Sequence, residues 1–104
     1  MIRHIVMWNL KGDTQEEKVQ NIQRLSQSFE SLRGRIPGLI HLEIGVDQSR
    51  IDYACDVVLY SEFESVQALT NYATHPEHQR VKEEVAGLRI ARHQVDYAVG
   101  SLAD

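Results

Sequence analysis

Residues 39–60 read LIHLEIGVDQSRIDYACDVVLY, two strand patterns in succession with only a polar turn between them, and they lie between two helical stretches. Leu39 to Val46 alternates, with Ile40, Leu42, Ile44 and Val46 on one face and His41 and Glu43 on the other, the period-2 signature of a strand with two different environments. Asp47 to Asp52 supplies the turn. Tyr53 to Tyr60 then sets Cys55, Val57 and Leu59 against Ala54, Asp56, Val58 and Tyr60. Asp56 is the odd member. A carboxylate among apolar neighbours is costly to bury without a partner, so a donor is expected across the sheet or across an interface.

Working outward, the N-terminal MIRHIVMWNL is β-branched and aromatic and reads as a strand over residues 1–10, with Ile2, His4, Val6, Trp8 and Leu10 on one face and Ile5 and Met7 on the other. Thr14 and Glu17 form a capping-box pattern, and Val19, Ile22, Leu25, Phe29, Leu32 and Ile36 recur at helical spacing, predicting a helix to about residue 34 before Pro37-Gly38. On the other side, Ser61 to Glu64 repeats the capping-box pattern and Val66, Leu69 and Ala73 mark a helix ending near Tyr72. Val81, Val85 and Leu88 mark a continuation after Pro76, and residues 89–99 alternate through Val95, Tyr97 and Val99 as a fourth strand. The order β-α-β-β-α-β in one domain, 1–104, is that of an α+β ferredoxin-like sandwich with both helices on one face of an antiparallel sheet. The other face would be left bare. With both faces partly apolar, it calls for cover by a second copy about a two-fold axis.

Composition narrows the function classes. The 104 residues carry 11 basic and 15 acidic side chains, a net charge of −4, so the basic patch that phosphate backbones require is missing and nucleic acid is not an expected partner. A chain of this length buries only about two thirds of its unfolded surface, so association helps it. No apolar run suits a membrane span or a secretory signal, so a cytoplasmic protein without a membrane partner is expected. Cys55, the single cysteine, lies in an apolar segment where a thiol acts as a small hydrophobe.

Chemistry concentrates at Tyr72-Ala73-Thr74-His75-Pro76-Glu77-His78, a phenol and two imidazoles within seven residues. Pro76 disfavours helix at His75, so a helix arriving through Tyr72 stops and restarts there. The stretch reads either as a Pro-initiated helix start with exposed histidines or as a break that aims side chains into a pocket. On the second reading, Tyr72 and His78 face the sheet and meet His4 of the first strand. His78 then serves as general base and the Tyr72 hydroxyl stabilises an enolate. Trp8 serves either the core or the same cleft. His75 and His78 lie three apart with only Glu77 near them, too few donors for an expected metal. His41 and His93 read as surface strand histidines. Dinucleotide, P-loop and nucleophile-elbow motifs are absent, and no cofactor is expected.

The opening MIRHIVMWNLK, the IPGL after the first helix, the DVVLYSEFES strand-to-helix junction, the YATHPEH break and the terminal VDY together resemble the stress-responsive A/B barrel (Dabb) family over nearly the whole chain. The resemblance implies a ferredoxin-like protomer whose two copies pack sheet against sheet into a dimeric α/β barrel. One member of that family is a cofactor-free polyketide cyclase that closes a ring by aldol condensation. Its working Tyr and His match Tyr72 and His78, and its first-strand His matches His4. Val57 stands where that cyclase has a third-strand His. The resemblance therefore implies Tyr72, His78 and His4 as catalytic residues, and His75, Trp8 and Val57 are expected in contact with a small apolar or carbonyl-bearing ligand. The alternative is a non-catalytic ligand-binding or stress-associated dimer.

Overall fold

The computed structural model describes residues 1–100. Seven elements follow in order: β1 Ile2–Leu10, α1 Gln15–Glu30, β2 Leu39–Val46, β3 Val57–Phe63, α2 Val66–Ala73, α3 Pro76–Val85 and β4 Arg89–Ala98. The strands form one antiparallel sheet in the order β2-β3-β1-β4, and the second helical stretch is divided in two at the proline. No helix among the described residues is long and apolar enough to cross a membrane.

Alternation along β1 decides which sheet face the helices cover. Ile2, His4, Val6, Trp8 and Leu10 are buried, whereas Met7 on the opposite side is exposed. The covered layer joins these residues to Ile22, Leu25 and Phe29 of α1, Leu59 and Phe63 of β3, and Val81 and Val85 of α3. Thr14 accepts the Glu17 N–H and so caps α1 as the sequence implies. The helix ends at Glu30, earlier than its apolar stripe, and turns through residues 31–36 bring Leu32 and Ile36 into the core anyway. Val19, read as part of that stripe, stays exposed.

Two strand expectations are corrected. The third strand begins at Val57, not Tyr53, because residues 47–55 close a turn: Asp47 accepts the backbone N–H of both Ser49 and Arg50, and Arg50 adopts a left-handed φ of 55°. That strand then runs on through Phe63, held by pairing of Ile2 with Phe63. Ser61 is therefore a buried strand residue whose hydroxyl donates to the His4 carbonyl, and the cap of α2 is Ser65, which accepts the Ala68 N–H. In β2, Leu42 is buried, while Ile40, at the register shift between Leu39 and His41, and Val46, at the end of the strand, stay exposed. Gly38, at φ 81°, lies so close to α2 that a Cβ would stand 2.5 Å from the Ala68 Cβ. Only glycine satisfies both demands.

Asp56 is buried and well partnered. One carboxylate oxygen accepts the Leu10 N–H at 2.8 Å on β1, with Lys18 at 3.5 Å and Arg50 at 3.6 Å completing the cluster. The donor across the sheet expected from the sequence is the backbone of the neighbouring strand.

The uncovered sheet face presents Ile5, Met7, Val58, Tyr60, Val95 and Tyr97, with Arg3 donating to the Tyr97 hydroxyl and Tyr60 donating to Glu62. Exposed His41 and His93 lie on this same face. The apolar alternation of β4, Val95 and Tyr97, thus points away from the helices. Its covered side is polar instead: Arg92, Gln94 and Asp96 lie opposite Trp8, Val6 and His4.

Candidate functional site

The helix break builds one wall of a cavity. α2 ends at Ala73, and Thr74 and His75 leave helical geometry before Pro76 opens α3. The break frees the Ala73 carbonyl, which accepts the Gln79 side-chain amide at 2.8 Å and lies 3.4 Å from His78 Nδ1. With Nδ1–H turned to that carbonyl, the neutral imidazole keeps Nε2 as its basic nitrogen. His78 stacks on Tyr72, ring centres 4.0 Å apart and planes 26° from parallel. Tyr72 in turn meets His4 edge-on at 6.0 Å.

These rings line a cavity of about 670 Å³ between the sheet and helices α2 and α3. Its floor is apolar, with Val6, Trp8, Phe29 and Leu59 from sheet and α1. Its rim is polar, with Lys82 of α3 and Arg89, Arg92, Gln94 and Asp96 of β4. His4 Nδ1 is 2.5 Å from Asp96 Oδ1, and the other Asp96 oxygen accepts the Gln94 amide at 2.8 Å. The carboxylate thereby orients the imidazole and fixes which ring nitrogen carries its proton.

Burial gives the two stacked groups opposite chemical characters. It pushes the Tyr72 phenol well above its ordinary value of 10, against a small opposing effect of Arg92, so Tyr72 is a neutral hydrogen-bond donor. It holds His78 below 6.5, and the Lys82 and His4 charges act in the same sense against the hydrogen bond to Ala73, so His78 is neutral and basic near pH 7. A neutral base stacked on a neutral donor is suited to moving a proton beside an oxygen that gains negative charge.

The structure brings Tyr72, His78, His4 and Trp8 together and leaves His75 and Val57 elsewhere. His75 is the N-cap of α3, its Nδ1 accepting the Glu77 N–H at 3.0 Å. Val57 is buried in the core at the start of β3 beside Trp8. Neither lines the cavity. Among the described residues no group of three His, Cys, Asp or Glu side chains gathers at metal-binding range. Asp96, Arg92, Gln94 and Lys82 are site residues that the sequence reading passed over. The signal was present in β4, where polar residues at every second position mark one whole face.

The sheet order and the one-sided helices define an α+β, ferredoxin-like protomer with a cavity between helices and sheet. The chain belongs to the stress responsive A/B barrel domain family, whose model matches residues 2–99. Among solved structures it is similar to a dimeric ferredoxin-like protein of unknown function from Bacteroides fragilis, at 31% identity over 92% of this chain and 93% of that one, TM-score 0.80. A Dabb family protein from Mesorhizobium loti is 24% identical over 93% and 94% of the two chains, TM-score 0.75. The hydroxynitrile lyase of Passiflora edulis, 18% identical over 92% and 90%, TM-score 0.75, shares the fold. No curated protein matches the sequence.

Proposed function

We propose that this chain is a homodimeric, cofactor-independent enzyme of the cyclase or isomerase type that moves a proton at a carbon beside a carbonyl group. The observation that carries the reading is the convergence of Tyr72, His78 and His4 on one cavity with an apolar floor. His78 Nε2 removes the proton, and the Tyr72 hydroxyl donates to the carbonyl oxygen as it becomes an enolate. His4, oriented by Asp96, supplies a second proton-transfer group on the sheet side. Each of the first two contributions is worth about two to four decades in rate. A screen of β-dicarbonyl and polyketide-like compounds tests the reading. Turnover is expected, with His78→Ala and Tyr72→Phe each lowering it at least a hundredfold while the fold survives; full activity in both variants removes the mechanism.

The dimer is supported by the uncovered face, with its exposed Met7, Val95 and Tyr97. It is further supported by the dimeric description of the Bacteroides fragilis protein. Light scattering coupled to gel filtration is expected to give about 24 kDa, twice the 11.9 kDa protomer, and a folded monomer overturns this part. A second reading, a non-catalytic ligand-binding dimer, draws on the exposure of Arg92, Gln94 and Asp96 at the rim, which leaves the cavity of one protomer open to water. Tight binding without turnover of any screened carbonyl compound would select it.

A further inference from the structure

The rim of the cavity has a charge that the chain as a whole does not. The protein carries a net charge of −4, yet Lys82, Arg89 and Arg92 all line the cavity against one carboxylate, Asp96. That carboxylate is already committed, one oxygen to His4 and the other to Gln94. Among the described residues, none of the three cations has an acidic partner within 4.0 Å, although seven other basic side chains, His4 included, do.

Their placement follows from two regular elements. Lys82 is four residues after His78 on α3, one turn further along the same helical face. Arg92 lies opposite Trp8 and Arg89 opposite Leu10, continuing the covered face of β4 beyond Asp96 and past the register shift. The cations thus face one another across the cavity from helix and strand, on the side away from the His4–Asp96 pair. Burial and the neighbouring Arg89 charge depress Arg92 from its ordinary value, as expected for a guanidinium without a counter-ion.

We infer that the cavity takes an amphipathic carboxylate, its apolar body on Trp8, Phe29 and Leu59 and its anionic head held by Arg92, Arg89 and Lys82. The inference rests on the reading of this cavity as a ligand site and adds the substrate class. A guanidinium offers a carboxylate two parallel N–H donors, and an ammonium adds a point charge without demanding one geometry. An acid seated this way directs its chain from the rim toward Tyr72 and His78, so an oxo group a few carbons from the head falls beside the proton-transfer pair.

Matched pairs of probes test it: 4-phenylbutyrate against 4-phenylbutyramide, and octanoate against octanamide. Binding is followed by calorimetry and by the fluorescence of Trp8, the single tryptophan, which lies in the cavity wall. Each acid is expected to bind at least tenfold more tightly than its amide at low salt, with the gap shrinking at high salt as charges are screened. Arg92→Gln is expected to remove most of the gap by lowering the acid's affinity far more than the amide's. Arg92→Glu is expected to weaken the acid further and to make 4-phenylbutylamine bind more tightly than 4-phenylbutyrate. Equal binding of acid and amide overturns the anion preference and leaves the cavity reading standing. Failure of every probe to bind or to perturb Trp8 overturns both.

Discussion

The two ends of the helix-covered sheet face differ in what they carry, and the difference explains why there is a cavity at all. At the β2–β3 end the covered positions are apolar, with Leu42 and Val57 of the sheet and Leu25 and Leu32 of α1 and the turn after it all nearly inaccessible. Those surfaces close to the density of a protein interior. At the β4 end the same face presents Arg92, Gln94 and Asp96. Such groups cannot be covered without full partnering, so α2 and α3 cannot settle onto them as α1 settles onto β1 and β2. Packing stops where the strand turns polar, and the space that remains is lined by Tyr72, His78 and His4. The composition of one edge strand therefore separates scaffold from site.

The largest effect that tests this division belongs to the closed end. Leu25→Ala, at a side chain with no exposure, is expected to cost about 2–5 kcal/mol, whereas Gln94→Ala at the open end should stay within about 0.5 kcal/mol. Thermal or urea unfolding of both variants checks it. Similar losses at the two sites would mean that the β4 end is packed as tightly as the other.

Next in size is Asp56→Asn, which keeps an acceptor for the Leu10 N–H but removes the charge facing Lys18 and Arg50. A loss of about 1–3 kcal/mol is expected, with probe binding in the cavity unchanged. Lost binding at unchanged stability would assign Asp56 to the site after all.

The fold was legible in the sequence because its elements announce themselves by period: the β1 alternation, the α1 cap at Thr14 and the interruption at Pro76 all need only nearest-neighbour chemistry. The third strand was displaced because the polar turn extends further than its composition suggests. Asp47 and the left-handed Arg50 hold residues 47–55 out of the sheet, and pairing with β1 prevails over the Ser61 capping pattern. The site was legible only in part. Tyr72, His78 and His4 stand out as titratable groups at a break or within an apolar strand face. Asp96 and Arg92 do not, because the apolar alternation that marks β4 as a strand runs through Val95 and Tyr97. Those residues face the uncovered side, the one proposed to meet a second copy. A strand whose apolar face is meant for a partner reads inside out from one chain.

A smaller effect separates the two neighbouring histidines of the break. His75 caps α3 through its Nδ1, so His75→Ala is expected to cost about 0.5–2 kcal/mol, the range for losing an N-cap, and to leave carboxylate-probe affinity within twofold. His75→Asn, which also caps, should recover the stability. Failure of His75→Asn to recover it, or a large fall in affinity with stability intact, would return His75 to the ligand site.

The smallest expected effect, a pH dependence, falls on His78. Its folded value lies below the ordinary 6.5 because burial disfavours the imidazolium, and Lys82 and His4 repel it further. Between 6.5 and that lower value the unfolded chain binds more protons at this position than the folded one. Stability contributed by the neutral ring is therefore fully present above pH 6.5 and is lost as pH falls through the folded value. The neutral ring is also the form that accepts a proton, so activity is expected to hold at neutral pH and to fall on the acid side as the folded His78 takes up its proton. The His78 ring proton shifts, followed by NMR from pH 8 to pH 4, should give a midpoint under 6.5. Adding 4-phenylbutyrate, which offsets the Lys82 charge, should move that midpoint upward. Lys82→Gln should raise it in the absence of probe, since it removes a positive charge beside the ring. A midpoint at 6.5 that neither Lys82→Gln nor the probe moves would place His78 in solvent, outside the open end of the sheet, and would leave the cavity without its base.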